Sequence, residues 1–164
     1  MNHYQELDEL LEGHHHSALP THFVLPAYDG RCIANVGSTV ASILGVSPEA
    51  ASPTLPGSMW EPVADGVACV ILMVLDAVGF GQLDRFLHSG KSAFSRLKRA
   101  GTFTRLTSVF PSTTVTGLTS IWTGQPPLGH GFLGTRLLLP KQGLMANLLR
   151  MAPAAYGGGG RLDD

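Results

Sequence analysis

Charge is scarce in this 164-residue chain. Asp, Glu, Lys and Arg make up 14% of it, against about a quarter of an ordinary soluble domain. Eleven basic residues nearly cancel twelve acidic ones and leave a net charge of −1. No basic block stands out, which removes the electrostatic case for nucleic-acid binding. Cysteine is nearly absent: Cys32 and Cys69 are far apart and form no CxxC motif, so two reduced, partly buried thiols are expected. The N-terminus has neither a basic n-region nor an apolar h-region, so it does not read as a secretory signal. The longest apolar run, Val67 to Leu75, falls far short of the roughly 20 residues a membrane helix needs. A cytoplasmic protein without a membrane partner is the expectation.

Several active-site signatures are missing as well. No G-x-S-x-G elbow occurs. The P-loop pattern is not met, because Gly90-Lys91-Ser92 has Arg85 at the first glycine position. The triplet His14-His15-His16 has no Cys or carboxylate placed to complete a metal site, and reads as a solvated stretch.

What is present suits a loop-rich α/β body, with 44% hydrophobic residues, 20 Gly and 11 Pro. Leu7, Leu10 and Leu11 have the spacing of a short helix at 4–12. Phe23 to Pro26 is a short extended run, and Tyr28-Asp29-Gly30 a turn. Asn35 caps a predicted helix running to about Leu44, with Gly45 as its stop. Residues 46–62 contain four prolines and read as a loop. Val67 to Leu75 is apolar without alternation, the pattern of a central parallel strand buried on both faces. It stops at Asp76. Residues 82–99 predict a helix interrupted at Ser89-Gly90 and closed by Gly101. Thr102 to Val109 predicts a second strand and Thr113 to Trp122 a helix ended by Gly124. Gly129-His130-Gly131 is a turn. The order strand, helix, strand, helix implies a parallel α/β sheet. We divide the chain into a polar N-terminus (1–20), a strand, helix and Pro-rich linker (21–62), the main α/β body (63–152) and a Gly-rich tail (153–164).

Two places carry candidate chemistry. Asp76 lies at the carboxyl end of the predicted strand, where ligands bind in open α/β sheets. A carboxylate there suits a cation, and equally suits capping the turn Ala77-Val78-Gly79. The hydroxyl cluster Ser112-Thr113-Thr114 follows Pro111 and begins a helix. Any of these hydroxyls serves as an N-cap. The same position offers free N–H groups and the positive helix end to a phosphoryl group. A hydroxyl there, near a divalent cation, becomes a nucleophile.

Three segments in order carry a resemblance to a known family. Ile71-Leu72-Met73-Val74-Leu75-Asp76-Ala77-Val78-Gly79 is similar to the first metal-ligand motif of the type I phosphodiesterase and nucleotide pyrophosphatase family, within the alkaline phosphatase superfamily. Ser108-Val109-Phe110-Pro111-Ser112-Thr113-Thr114 resembles its nucleophile segment. Ser120-Ile121-Trp122-Thr123-Gly124-Gln125-Pro126-Pro127-Leu128-Gly129-His130-Gly131 resembles its "TG…P…HG" signature. The resemblance covers roughly residues 65–150 and implies an alkaline-phosphatase-like parallel-sheet fold, here incomplete. It implies a hydrolase of small phosphodiesters or nucleotide pyrophosphates using two divalent ions, zinc in the family. Asp76 then matches a ligand of one ion. Thr114 matches the nucleophile, which also touches that ion, with Thr113 one register step away and Ser112 beside it. Gly117 stands where nucleotide pyrophosphatases have an Asn that holds a phosphate oxygen, so a backbone N–H is what this position offers the substrate. His130 matches a structural His. Sulfatases are set aside, since no C/S-x-P-x-R segment occurs.

The family's metal centre also needs another Asp, an Asp-His pair and a further His. Beyond Asp76 the chain offers only Asp84, His88, His130, Asp163 and Asp164, with no Asp-His pair. The resemblance therefore implies either a truncated catalyst or a non-catalytic scaffold. It also implies apolar edges left uncovered, hence marginal stability.

Overall fold

The computed structural model of the chain describes residues 18–20, 23–47, 51–88 and 93–154. The helix expected at 4–12, the histidine triplet and the Gly-rich tail lie outside the described residues.

Helix α1 (Ala34–Ile43) follows the first extended segment and ends at Gly45, whose φ of 74° only glycine adopts without strain. Asn35, expected as its cap, sits inside the first turn and is fully buried. It joins three segments instead. Its Oδ1 accepts from the Cys32 N–H at 2.8 Å, and its Nδ2 donates to the carbonyls of Tyr28 (2.9 Å) and Pro53 (2.8 Å). Short helix α2 (Gly57–Trp60) and a 3-10 turn (Glu61–Val63) follow. Helices α3 (Phe80–His88) and α4 (Ala93–Ala100) follow, and the interruption expected at Ser89-Gly90 lies outside the described residues. Helix α5 (Thr114–Thr123) ends at Gly124, φ 65°, and α6 (Pro127–His130) occupies the expected turn.

α1 packs on α5 through small residues. A Cβ at Gly37 would collide with the carbonyl oxygen of Ile121, and one at Gly124 would lie 2.8 Å from Ser38 Oγ. Helix backbones approach this closely only where side chains are missing. The core beside this crossing is Cys32, Ala34 and Val109, flanked by Tyr28 and Ile33.

The expected parallel sheet does not form among the described residues. Thr102 to Val109 contributes one isolated parallel bridge, Cys32 to Thr107. Val67 to Leu75 joins no described strand, and residues 71–79 are all exposed, Ile71 to 87% and Met73 to 76%. An apolar run becomes a central strand only where neighbours take its hydrogen bonds and layers cover both faces, and the described residues supply neither. The described sheet is instead antiparallel, with β1 (Arg136–Leu139), β2 (Leu144–Asn147) and β3 (Ala152–Pro153) in that order. Arg136 faces Asn147 and Leu139 faces Leu144 across a turn at Pro140–Gly143.

Both cysteines are free thiols. Burial raises the pKa of Cys32, whereas Cys69 lies exposed on the unpaired run. Among buried apolar residues described, only Leu87 and Ile121 exceed valine in size. The buried apolar core among the described residues is thus small beside the apolar surface left exposed. No helix among the described residues is long and apolar enough to cross a membrane.

Candidate functional site

The hydroxyl segment enters the site from a fixed approach. The Tyr28 hydroxyl accepts the Phe110 N–H at 3.1 Å, and burial raises the pKa of that hydroxyl, keeping it protonated. The chain then turns at Pro111 into α5.

The three adjacent hydroxyls divide their tasks at this helix start. Thr113 is the N-cap, with extended backbone (φ −91°, ψ 156°). Its Oγ1 accepts the Thr116 N–H at 3.3 Å and lies 2.8 Å from Thr116 Oγ1. Its carbonyl accepts the Gly117 N–H at 2.8 Å. Thr114 is the first helical residue, and its hydroxyl points away from the helix to donate to Asp76 Oδ2 at 2.9 Å. Ser112 is exposed. The N–H groups of Thr114 and Val115 have no acceptor among the described residues, as is usual for the first turn of a helix.

Asp76 caps the turn that follows it, and its second oxygen is turned to Thr114. One oxygen, Oδ1, accepts the Ala77 N–H at 2.8 Å and holds a turn in which Ala77 takes φ 59°. The other, Oδ2, receives Thr114. The turn passes into α3 through Gly79, whose N–H donates to Gln82 Oε1 at 3.1 Å. Asp76, Thr113, Thr114 and Gly117 line one cavity of about 470 Å³.

Gly117 reaches this cavity but differs from expectation in one respect. Its N–H is bound to the Thr113 carbonyl within the helix, so it is not free to hold a phosphate oxygen. The free donors lie one turn earlier.

His130 is held by both ring nitrogens. Nδ1 accepts the Phe132 N–H at 3.0 Å, which leaves the proton on Nε2 to be donated to Ser120 Oγ at 2.9 Å. Burial lowers its pKa, so the neutral ring is favoured. A ring with both nitrogens committed ties α6 to α5. The Ser120–His130 pairing had no signal in the sequence beyond two residues ten apart.

Asp76 Oδ2 and Thr114 Oγ1 are two hard oxygen donors that converge, the type a divalent cation selects. A zinc ion takes about four ligands. Among the described residues no group of three His, Cys, Asp or Glu side chains comes together. The donors present therefore fit one edge of a single cation and do not fit a two-ion centre.

Comparison with known families matched residues 70–157 to the model of the type I phosphodiesterase / nucleotide pyrophosphatase family. The matched stretch is more than half of the chain and contains Asp76, Thr114, Gly117 and His130. Neither the curated proteins nor the solved structures gave a match.

Proposed function

As this chain belongs to the type I phosphodiesterase / nucleotide pyrophosphatase family, we propose that it carries the nucleophile side of a phosphoester hydrolase, with Thr114 as nucleophile and Asp76 as its carboxylate partner. The observation that supports this most is the 2.9 Å hydrogen bond from Thr114 Oγ1 to Asp76 Oδ2, between residues 38 apart in sequence. A cap hydroxyl turns back onto its own helix; this one turns outward to a carboxylate on another segment.

The chemistry follows from that contact. A small phosphodiester or pyrophosphate enters the cavity with a phosphoryl oxygen at the N–H groups of Thr114 and Val115, where the helix end is positive. Thr114 Oγ1 bonds to phosphorus as the bond to the leaving oxygen breaks, and the hydroxyl proton passes to Asp76 Oδ2. Water then cleaves this phosphothreonine, which still carries the other substituent on phosphorus, and Thr114 recovers a proton. A divalent cation, when bound, neutralises charge on the phosphoryl oxygens. Asp76 and Thr114 are the described residues placed to touch it. The parallel-sheet architecture of the alkaline phosphatase superfamily is the frame we propose for the complete fold.

Turnover of bis(p-nitrophenyl) phosphate with added zinc tests the assignment. Thr114→Ala is expected to cut the rate at least about a thousandfold, as loss of a covalent nucleophile does. Mass spectrometry of the acid-quenched protein is expected to find a p-nitrophenyl phosphoryl group on Thr114. Turnover unchanged by Thr114→Ala would refute the assignment.

A second reading, a phosphoester-binding module without turnover, is favoured by the incomplete donor set among the described residues. Zinc stoichiometry separates the two. Zinc bound by the parent chain and lost on Asp76→Ala supports the hydrolase; no bound zinc with phosphate still binding supports the module.

A further inference from the structure

Thr116 is fully buried, at 0% exposure, so its hydroxyl must find its partner inside the protein. Its Oγ1 lies 2.8 Å from Thr113 Oγ1 and has no other partner among the described residues. Other threonines of α5 bond back to the carbonyl four residues earlier, Thr119 to Val115 at 2.8 Å and Thr123 to Thr119 at 2.7 Å. Thr116 makes no such bond among the described residues, and its hydroxyl depends on Thr113.

The contact between the two hydroxyls can run in either direction. The penalty for a stranded buried donor decides which. Were Thr113 the donor, the Thr116 proton would be buried with nothing to accept it, which costs more than an ordinary hydrogen bond returns. With Thr116 as donor, that proton is satisfied. Thr113 Oγ1 then accepts twice, from the Thr116 N–H at 3.3 Å and from the Thr116 hydroxyl. A hydroxyl has two lone pairs and one proton, so Thr113 has only its proton left to offer. Thr113 is half-buried and lines the cavity together with Asp76 and Thr114. The two Asp76 oxygens there already receive the Ala77 N–H and the Thr114 hydroxyl.

We infer that the Thr113 hydroxyl donates to a phosphoryl oxygen held in this cavity, beside the N–H groups of Thr114 and Val115. The inference rests on the phosphoester reading above and adds a donor that orients the phosphoryl group. Thr113 takes the role from which Gly117 is withdrawn, since the Gly117 N–H is bound to the Thr113 carbonyl. One residue thus serves both sides of the helix start. Its carbonyl closes the first turn, and its hydroxyl faces the ligand. Thr116 acts on the ligand only through Thr113, by filling a lone pair and leaving the proton for the cavity.

Calorimetric titration of the full chain with methylphosphonate, which is not hydrolysable, tests this in the presence of zinc. Thr116→Val is the reference chain, because it removes the buried hydroxyl, keeps its shape and leaves the Thr113 proton in place. In that background Thr113→Gly removes the donor and strands no buried hydroxyl. Glycine is a tolerated N-cap, so this chain is expected to fold, with a circular dichroism spectrum like that of the reference. It is expected to bind methylphosphonate about tenfold or more weakly, as loss of a hydrogen bond to a charged oxygen does. Thr113→Ser in the same background keeps both cap and proton and should bind as the reference does. Equal binding by the reference and its Thr113→Gly variant would overturn the inference and leave the phosphoester reading standing. A Thr113→Ser variant as weak as the Thr113→Gly one would overturn it too, because the proton is then not what holds the ligand. No binding by the parent chain would overturn both.

Discussion

Gly37 and Gly117 lie inside helices that touch, and the same substitution at each should act in opposite directions. By helix propensity alone, Gly→Ala in a helix interior stabilises by about 1 kcal/mol. At Gly117 nothing opposes that gain, since a new Cβ would meet only Ile33 Cδ1, at an ordinary 3.5 Å. At Gly37 the new methyl would overlap the Ile121 carbonyl oxygen and lie 3.1 Å from the Gly124 nitrogen and 3.3 Å from its Cα. Every one of these atoms is backbone, so relief requires α1 and α5 to move apart. Overpacking of this kind costs about 1–3 kcal/mol, occasionally more. Less the propensity gain, Gly37→Ala should destabilise by up to about 2 kcal/mol, and the two variants should differ by about 1–3 kcal/mol. Urea denaturation followed by circular dichroism measures this as a shift in midpoint at constant slope. A Gly37→Ala chain as stable as the Gly117→Ala chain would refute the close crossing of α1 and α5.

Two other perturbations have equally definite signs. Asn35→Ala would strand the Cys32 N–H and the Tyr28 and Pro53 carbonyls at a buried site, costing about 3 kcal/mol or more in the same denaturation assay; Asn35→Asp should fare no better, because a carboxylate cannot donate to two carbonyls. The lowered pKa of His130 means that the unfolded chain binds its proton first as pH falls. Its contribution is thus complete above the ordinary histidine value of about 6.5 and is lost as pH falls from there through the folded value. Thermal melts between about pH 5 and 8 should show this loss, and His130→Gln should flatten the profile over that window.

Helix α5 was legible from sequence because its signals are local: Pro111 before it, a hydroxyl to cap it and Gly124 to stop it. α1 was legible for similar reasons, though not Asn35. A polar residue near a helix start has the same local appearance whether it caps the helix or bonds to Tyr28 and Pro53. Val67 to Leu75 shows the reverse case, since its apolar pattern states a requirement for partners that the described structure does not meet. The antiparallel sheet went unread, although Leu137–Leu139 and Leu144–Ala146 flank a four-residue turn ending at Gly143, φ 63°. Those runs are too short to stand out by periodicity. At the site, Asp76 and Thr114 were both picked out beforehand. What sequence left open was which of the adjacent hydroxyls turns outward, and that is decided by the capping geometry of Thr113. Gly117 was expected to offer its N–H, and helical bonding to Thr113 withdraws it.

The Thr114–Asp76 contact joins two unlike supports. On the threonine side, a capped helix is locked against α1 by missing side chains, so its oxygen has little freedom to shift. On the aspartate side, a turn carries the carboxylate at the end of a run that pairs with no described strand and is exposed over residues 71–75. The spacing between these oxygens is therefore set almost wholly by the aspartate side. Anything that comes to cover residues 67–75 would tune the reach of Asp76 while leaving the orientation of Thr114 untouched, so half of this site is fixed by its own fold and half is adjustable from outside.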